Sequence, residues 1–162
     1  MSSEILGHVV GARPVMCAVA DDEASRHAVR VAAWLAGALG TRLLLAHAFD
    51  PMGVAGPPRR EMHARELTDD DLVQVGRRAA QLLLDGAAGS VSGLDVATEL
   101  VEGPVVAGLL ELASERWAVA LVAGTAARGG VERMLVGSIS GALAAAAPCP
   151  LVAVPRGAAL DE

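Results

Sequence analysis

The chain has 162 residues, 53% of them apolar, a formal charge of −6, and thirteen cationic side chains that are all arginine. That length suits one domain able to bury on the order of 70% of its unfolded surface, so neither a disulfide nor a metal is needed for folding. The acidic balance argues against a binder of nucleic-acid phosphates, the lack of lysine excludes a P-loop lysine and Schiff-base chemistry, and no apolar run reaches the ~18–20 residues of a membrane span.

The start, "MSSEILGHVVGARP", is acidic and has no long apolar stretch, so it does not read as a signal peptide. Cys17 and Cys149 lie far apart in sequence and make no disulfide framework. The expected compartment is the cytoplasm. "PVMCAVA" (14–20) then reads as a short buried strand, and Asp21, Asp22 and Glu23 follow as a helix start favoured by capping and by the macrodipole. "ASRHAVRVAAWLAGALG" predicts a helix with Ala28, Val31, Ala32, Leu35 and Leu39 on its inner face and Gly40 as its stop.

"TRLLLAHAF" predicts a second buried strand, closed by Asp50 and Pro51. The Pro- and Gly-rich, then charged, stretch from Asp50 to Leu67 reads as a surface excursion, because the core pattern resumes after it. Thr68 and Asp71 have capping-box spacing ahead of the helix "DLVQVGRRAAQLLLDGAAG", with Asp in place of the usual Glu or Gln. "LDVATELVEG" alternates as a half-exposed strand. "PVVAGLLELASER" predicts a helix with Pro104 in its first turn, and "WAVALVAGT" a central apolar strand. A glycine-bearing loop, the helix "SISGALAAAA" and the strand "PLVAVP" complete the chain.

This β-α-β-α-β-α-β-α-β order implies a parallel sheet with right-handed crossovers and helices on both faces. A single domain is expected over residues 1–162, with 1–12 and 156–162 as loose ends. Ligands of such sheets bind beyond the C-terminal strand ends, where the strand order reverses. "GTAARGGVERMLVGSIS" (124–140) falls there. Gly137 permits close approach to the helix start, whose free N–H groups suit an anion. Ser138 and Ser140 add hydroxyls, and Arg128 and Arg133 add positive charge. The same residues also serve as ordinary turn glycines and an ordinary N-cap, and spacing alone leaves both alternatives open.

The histidines 8, 27, 47 and 63 show no metal-ligand spacing, and no Cys-x-x-Cys occurs. His47, inside an apolar strand, is expected to be a hydrogen-bonded core residue. Ser138 lacks a Gly-x-Ser-x-Gly elbow and any assignable His or Asp partner, so no catalytic residue is assigned. "PLVAVP" is short, apolar and uncharged, and an edge strand of that kind invites pairing.

The spacing Gly124-x-x-Ala127, then nine residues, then Gly137-Ser138, followed by "APCPLVAVP", resembles the C-terminal signature of the universal stress protein family. "PVMCAVADDEASRHAVRVAAWLAG" resembles that family's first strand and helix, "LLLAHAF" its second strand, and "VEGPVVAGLLELASERWAVALVAGT" its third helix and fourth strand. The resemblance implies a doubly wound five-stranded parallel sheet, order 3-2-1-4-5, of the adenine-nucleotide α-hydrolase-like, Rossmann-type kind. It implies binding of ATP, or of AMP or cyclic AMP, with or without Mg²⁺, in a stress-response sensor or regulator. Ala18, Val19 and Asp21 would flank the adenosine, and Ala48 would offer main-chain groups to adenine. Gly124, Thr125, Ala127 and Arg128 would border the ribose and phosphates. Gly137, Ser138, Ile139 and Ser140 would hold the phosphates. Two positions depart from the pattern: Ala20 stands where an Asp is expected, and Ala127 where the middle glycine belongs. The family also implies a homodimer through the last strand, Pro150 to Pro155. Any ATP hydrolysis is expected to be slow, because no general base is assignable near the phosphates. A nucleotide-free dimeric adaptor of the same family is the alternative, and a small enzyme of the wider nucleotide-binding group is a third.

Overall fold

A computed structural model describes residues 13–51, 68–125 and 138–157. Five strands alternate with four helices: β1 (Val15–Ala18), α1 (Glu23–Leu39), β2 (Leu43–Phe49), α2 (Asp69–Gly89), β3 (Val96–Glu102), α3 (Val105–Glu115), β4 (Ala120–Thr125), α4 (Ser138–Ala146) and β5 (Leu151–Pro155). All pairings are parallel, in the order β3-β2-β1-β4-β5. This is the expected doubly wound sheet.

Period-two alternation assigns the two faces of the sheet. Val15, Cys17, Leu43, Leu45 and Val122 pack with α1 and α2, whereas Met16, Leu44, Ala46, Leu121 and Ala123 pack with α3 and α4. Cys17 lies wholly inside, and burial pushes its thiol up to about 12.

Helix α1 starts where Asp22, in extended conformation, accepts the Ser25 N–H. Its inner face differs from the one predicted. The buried stripe is Ala24, Ala28, Ala32 and Ala36 with Ser25 and Val29, while Val31 and Leu35 pack only partly and Leu39 is half exposed. Bulk was expected inside, but the helix lies too close to the sheet to admit it. The reason sits on β4. A Cβ on Gly124 would come within 2.6 Å of the Ala24 carbonyl carbon and 2.7 Å of the Ser25 nitrogen. Gly124 is therefore the contact point at which the first turn of α1 rests on the sheet.

Helix α2 opens with the predicted capping box, Thr68 and Asp71 each bonding the other's main-chain N–H. The Thr68 hydroxyl, and then its N–H, hold the Asp71 carboxyl below the usual aspartate range. A folded-state pKa lowered in this way stabilises the helix start above the ordinary Asp value, and that support is lost as pH falls through the depressed one. Gly76 makes room for the ring of Phe49.

Pro104 caps α3 from just outside it, one position earlier than predicted. At the other end Trp117, expected in the strand, forms the helix stop instead. Its N–H bonds the Ser114 carbonyl and the Ala118 N–H bonds that of Ala113, a Schellman closure. Gly40 closes α1 through the same pair of bonds. Both stop residues are left-handed, Gly40 at φ 62° and Trp117 at φ 53°.

The edge strand β3 is pinned on both faces. Arg77 of α2 grips Glu102 through two nitrogens, at 2.6 and 3.1 Å, and Arg116 beyond α3 grips Glu99 at 2.9–3.1 Å. No comparable clamp crosses β5 among the described residues.

Two stability predictions follow from these contacts. Gly124→Ala forces α1 off β4, so thermal unfolding should show a loss of about 1–3 kcal/mol, the usual range for overpacking. Trp117→Gly should do the opposite. A left-handed L-residue costs roughly 1–2 kcal/mol, glycine's extra unfolded-state freedom returns roughly 0.5–1 of that, and the 72%-exposed indole has little packing to lose. A rise in Tm of about 1–4 °C is expected from calorimetry.

Candidate functional site

The strand order reverses between β1 and β4: the chain leaves β1 towards β2 and β3, then returns to the other side through α3. Sheets of this kind take ligands at such a reversal, beyond the C-terminal strand ends. The β1–α1 turn and the end of β4 meet at that position. Ala18 pairs with Ala46 on one side and Ala123 on the other, and these three methyl groups pack into the core beneath α3 and α4.

Three main-chain groups after β1 are tied down. The Val19 N–H donates to the Ala46 carbonyl at 2.7 Å. His47 meets the Val19 carbonyl through Nδ1, also at 2.7 Å. A carbonyl only accepts, so Nδ1 carries the proton and Nε2 is the acceptor in the neutral ring. The Ala20 N–H donates to Ser25 Oγ at 2.7 Å, and the Ser25 N–H to Asp22 Oδ1 at 2.7 Å. Ser25 thus joins the turn to the helix that follows it. Its sequence signal was the Asp22-x-x-Ser25 spacing, which marks the helix cap but not the backward bond to Ala20.

The structure brings Ala18, Val19 and Asp21 together at the end of β1, with Gly124 and Thr125 at the end of the neighbouring β4. Ala48 lies one strand further out, opposite Val101 of β3, and is 9% exposed. Asp21 is solvent-exposed, as is Ala20. The Thr125 hydroxyl donates to the Val154 carbonyl at a long 3.4 Å and is buried towards β5. Ser138 is the first residue of α4, followed by Ile139, about half exposed, and Ser140, 2% exposed. Ala127, Arg128 and Gly137 lie outside the described residues. His47 is half-buried and hydrogen-bonded, as expected for a core histidine. Glu23 receives Arg156 at 3.4 Å, which joins the residue after β5 to the first turn of α1.

Among the described residues no three His, Cys, Asp or Glu side chains gather as a metal site, and no helix is long and apolar enough to cross a membrane. The arrangement offers main-chain groups fixed at the end of β1 and a helix, α4, that starts after β4.

Known proteins sharpen this picture. Residues 11–155 match the model of the universal stress protein family. A universal stress family protein from Burkholderia pseudomallei superposes with a TM-score of 0.66 at 23% identity, over 89% of this chain and 96% of that one. A universal stress protein in complex with cAMP gives 0.61 at 22% identity, over 90% and 99%. One from Archaeoglobus fulgidus in complex with dAMP gives 0.57 at 20%, over 88% and 97%. At these identities the likeness speaks for the fold alone. No curated protein sequence matches the chain. With the family pattern spanning nearly the whole length and the sheet order in agreement, this chain belongs to the universal stress protein family.

Proposed function

We propose that this protein binds an adenine nucleotide across the C-terminal ends of β1, β2 and β4 and acts as a dimeric regulator in a stress response, not as a fast enzyme. The observation that carries the proposal is the order reversal itself, which sets Ala18, Val19 and Asp21 at the end of β1 beside Gly124 and Thr125 at the end of β4. Relatives of the same fold that hold cAMP and dAMP support the choice of ligand class. In this scheme Ala18, Val19, Asp21 and Ala48 border the adenosine. Gly124, Thr125, Ala127 and Arg128 border the ribose and phosphates. Gly137, Ser138, Ile139 and Ser140 offer the anion the first N–H groups of α4. ATP, AMP and cyclic AMP are the candidates, with Mg²⁺ neutralising the phosphate charge of the first. Hydrolysis is at most slow, because no general base is assigned near the phosphates.

One observation favours the nucleotide-free adaptor as a second reading. Ala20 brings no carboxylate to the end of β1, and its N–H is already used by Ser25.

Thermal unfolding with ATP, AMP and cyclic AMP, each with and without Mg²⁺, separates the two. A ligand at 100 times its Kd should stabilise the fold by roughly 2.7 kcal/mol, about 5–11 °C at this size. Gly137→Val should remove the shift and leave the ligand-free transition broadly in place. No shift with any nucleotide would select the adaptor, and a shift that survives Gly137→Val would move the phosphates elsewhere.

The dimer has its own test. The Leu121 N–H bonds the Pro150 carbonyl, so by alternation Val152 and Val154 face β4 while the N–H of Ala153 points off the sheet. A second β5 pairing there would give an isologous two-fold contact. Ala153→Pro removes that outward donor and leaves the bonds to β4 intact. Light scattering should give twice the chain mass for the parent and the chain mass for the variant; a monomeric parent at micromolar concentration refutes the pairing.

A further inference from the structure

A cavity runs from the β1–α1 turn along the α1–α2 side of the sheet. It is a cleft of about 710 Å³ that opens at Val19 and Asp21 and runs between α1 and α2 as far as Ser90. Its size falls in the ~300–1,000 Å³ range of small-molecule sites. On the α2 side it extends from Leu82 to Ser90, roughly 12 Å at 1.5 Å per residue, so it is elongated. Val29, Leu82, Leu83 and Ala87 supply an apolar lining, and Leu82 remains 64% exposed, uncovered by any described residue.

Two guanidinium groups face the same cleft. Arg26 and Arg30 are one helical turn apart on α1. Arg26 has no side-chain hydrogen bond or ion pair among the described residues. Arg30 gives a single N–H, from Nη2, to His27 Nδ1 at 2.9 Å, which orients its fork and leaves its other donors available. The acids that share the cleft do not cancel this pair. Glu23 is answered by Arg156 at 3.4 Å and faces His27 Nε2 at 3.9 Å, and Asp21 sits at the mouth beside β1. In a chain of net charge −6, two adjacent arginines without acidic partners beside an apolar trough select an anion with an apolar tail.

We propose that the α1–α2 cleft binds a medium-chain carboxylate, with its head group on Arg26 and Arg30 and its chain along Val29, Leu83 and Ala87. The cleft shares Val19 and Asp21 at its mouth with the proposed nucleotide site, but the groups assigned to the carboxylate lie on α1 and α2, so the assignment does not depend on a nucleotide binding.

Calorimetric titration of the whole protein with octanoate, decanoate and 1-octanol tests the assignment. Decanoate should bind saturably at one per chain and more tightly than octanoate, by at most about fifteenfold for two buried methylenes. The alcohol should bind at least about tenfold more weakly than octanoate, since it forgoes the charge-assisted bonds. Arg26→Gln with Arg30→Gln should erase that difference. Gly86 lines the cleft, and a Cβ there meets nothing within 4 Å, so Gly86→Leu fills the trough from a helix that gains by losing a glycine. This variant should melt no lower than the parent, keep any nucleotide-induced shift, and lose decanoate. The proposal is overturned by an absence of saturable binding, by equal affinity for acid and alcohol, or by decanoate binding that persists in Gly86→Leu.

Discussion

The contact of α1 with β4 at Gly124 is the constraint on which the remaining geometry rests. A helix that touches a strand through main-chain atoms admits only small residues along its inner stripe, and alanines occupy four successive turns there. The same contact fixes the β1–α1 turn, because Ser25 belongs at once to the packed first turn and to the hydrogen bond with Ala20. Helix position, turn conformation and the end of β4 are one arrangement. The glycine that sequence spacing marks as part of a phosphate signature thus has a packing duty of its own.

Much of this was legible beforehand. Strand and helix order follows from apolar runs punctuated by caps, and both the Thr68–Asp71 box and the Gly40 stop carry local signals that need no tertiary information. Face assignment was harder. Helical periodicity puts Val31, Leu35 and Leu39 on one face with Ala28 and Ala32, and only the closeness of the sheet turns the helix so that its alanines point inward. The apolar run that opens with Trp117 reads as a strand throughout, yet the helix before it needs a stop and no glycine is at hand.

The candidate site is legible in part. Its location follows from topology, so Ala18, Val19, Asp21, Gly124 and Thr125 converge as the alternation of elements required. The bonds that shape it, from His47 to Val19 and from Ser25 to Ala20, join residues 28 and 5 positions apart and have no periodic signature. The α1–α2 cleft left no trace in the sequence at all. It depends on how far apart two helices lie, which is set by side chains beneath them such as Leu84 and Val29.

The two margins of the sheet are not alike. On β3 a carboxylate on each face is locked by a guanidinium reaching in from the covering helix, so a strand arriving from outside would meet ordered, charged side chains before it met free main-chain groups. β5 has no such guard among the described residues. A sheet barred at one margin and bare at the other can add a neighbour only once. Lateral growth then stops there instead of running on into a filament.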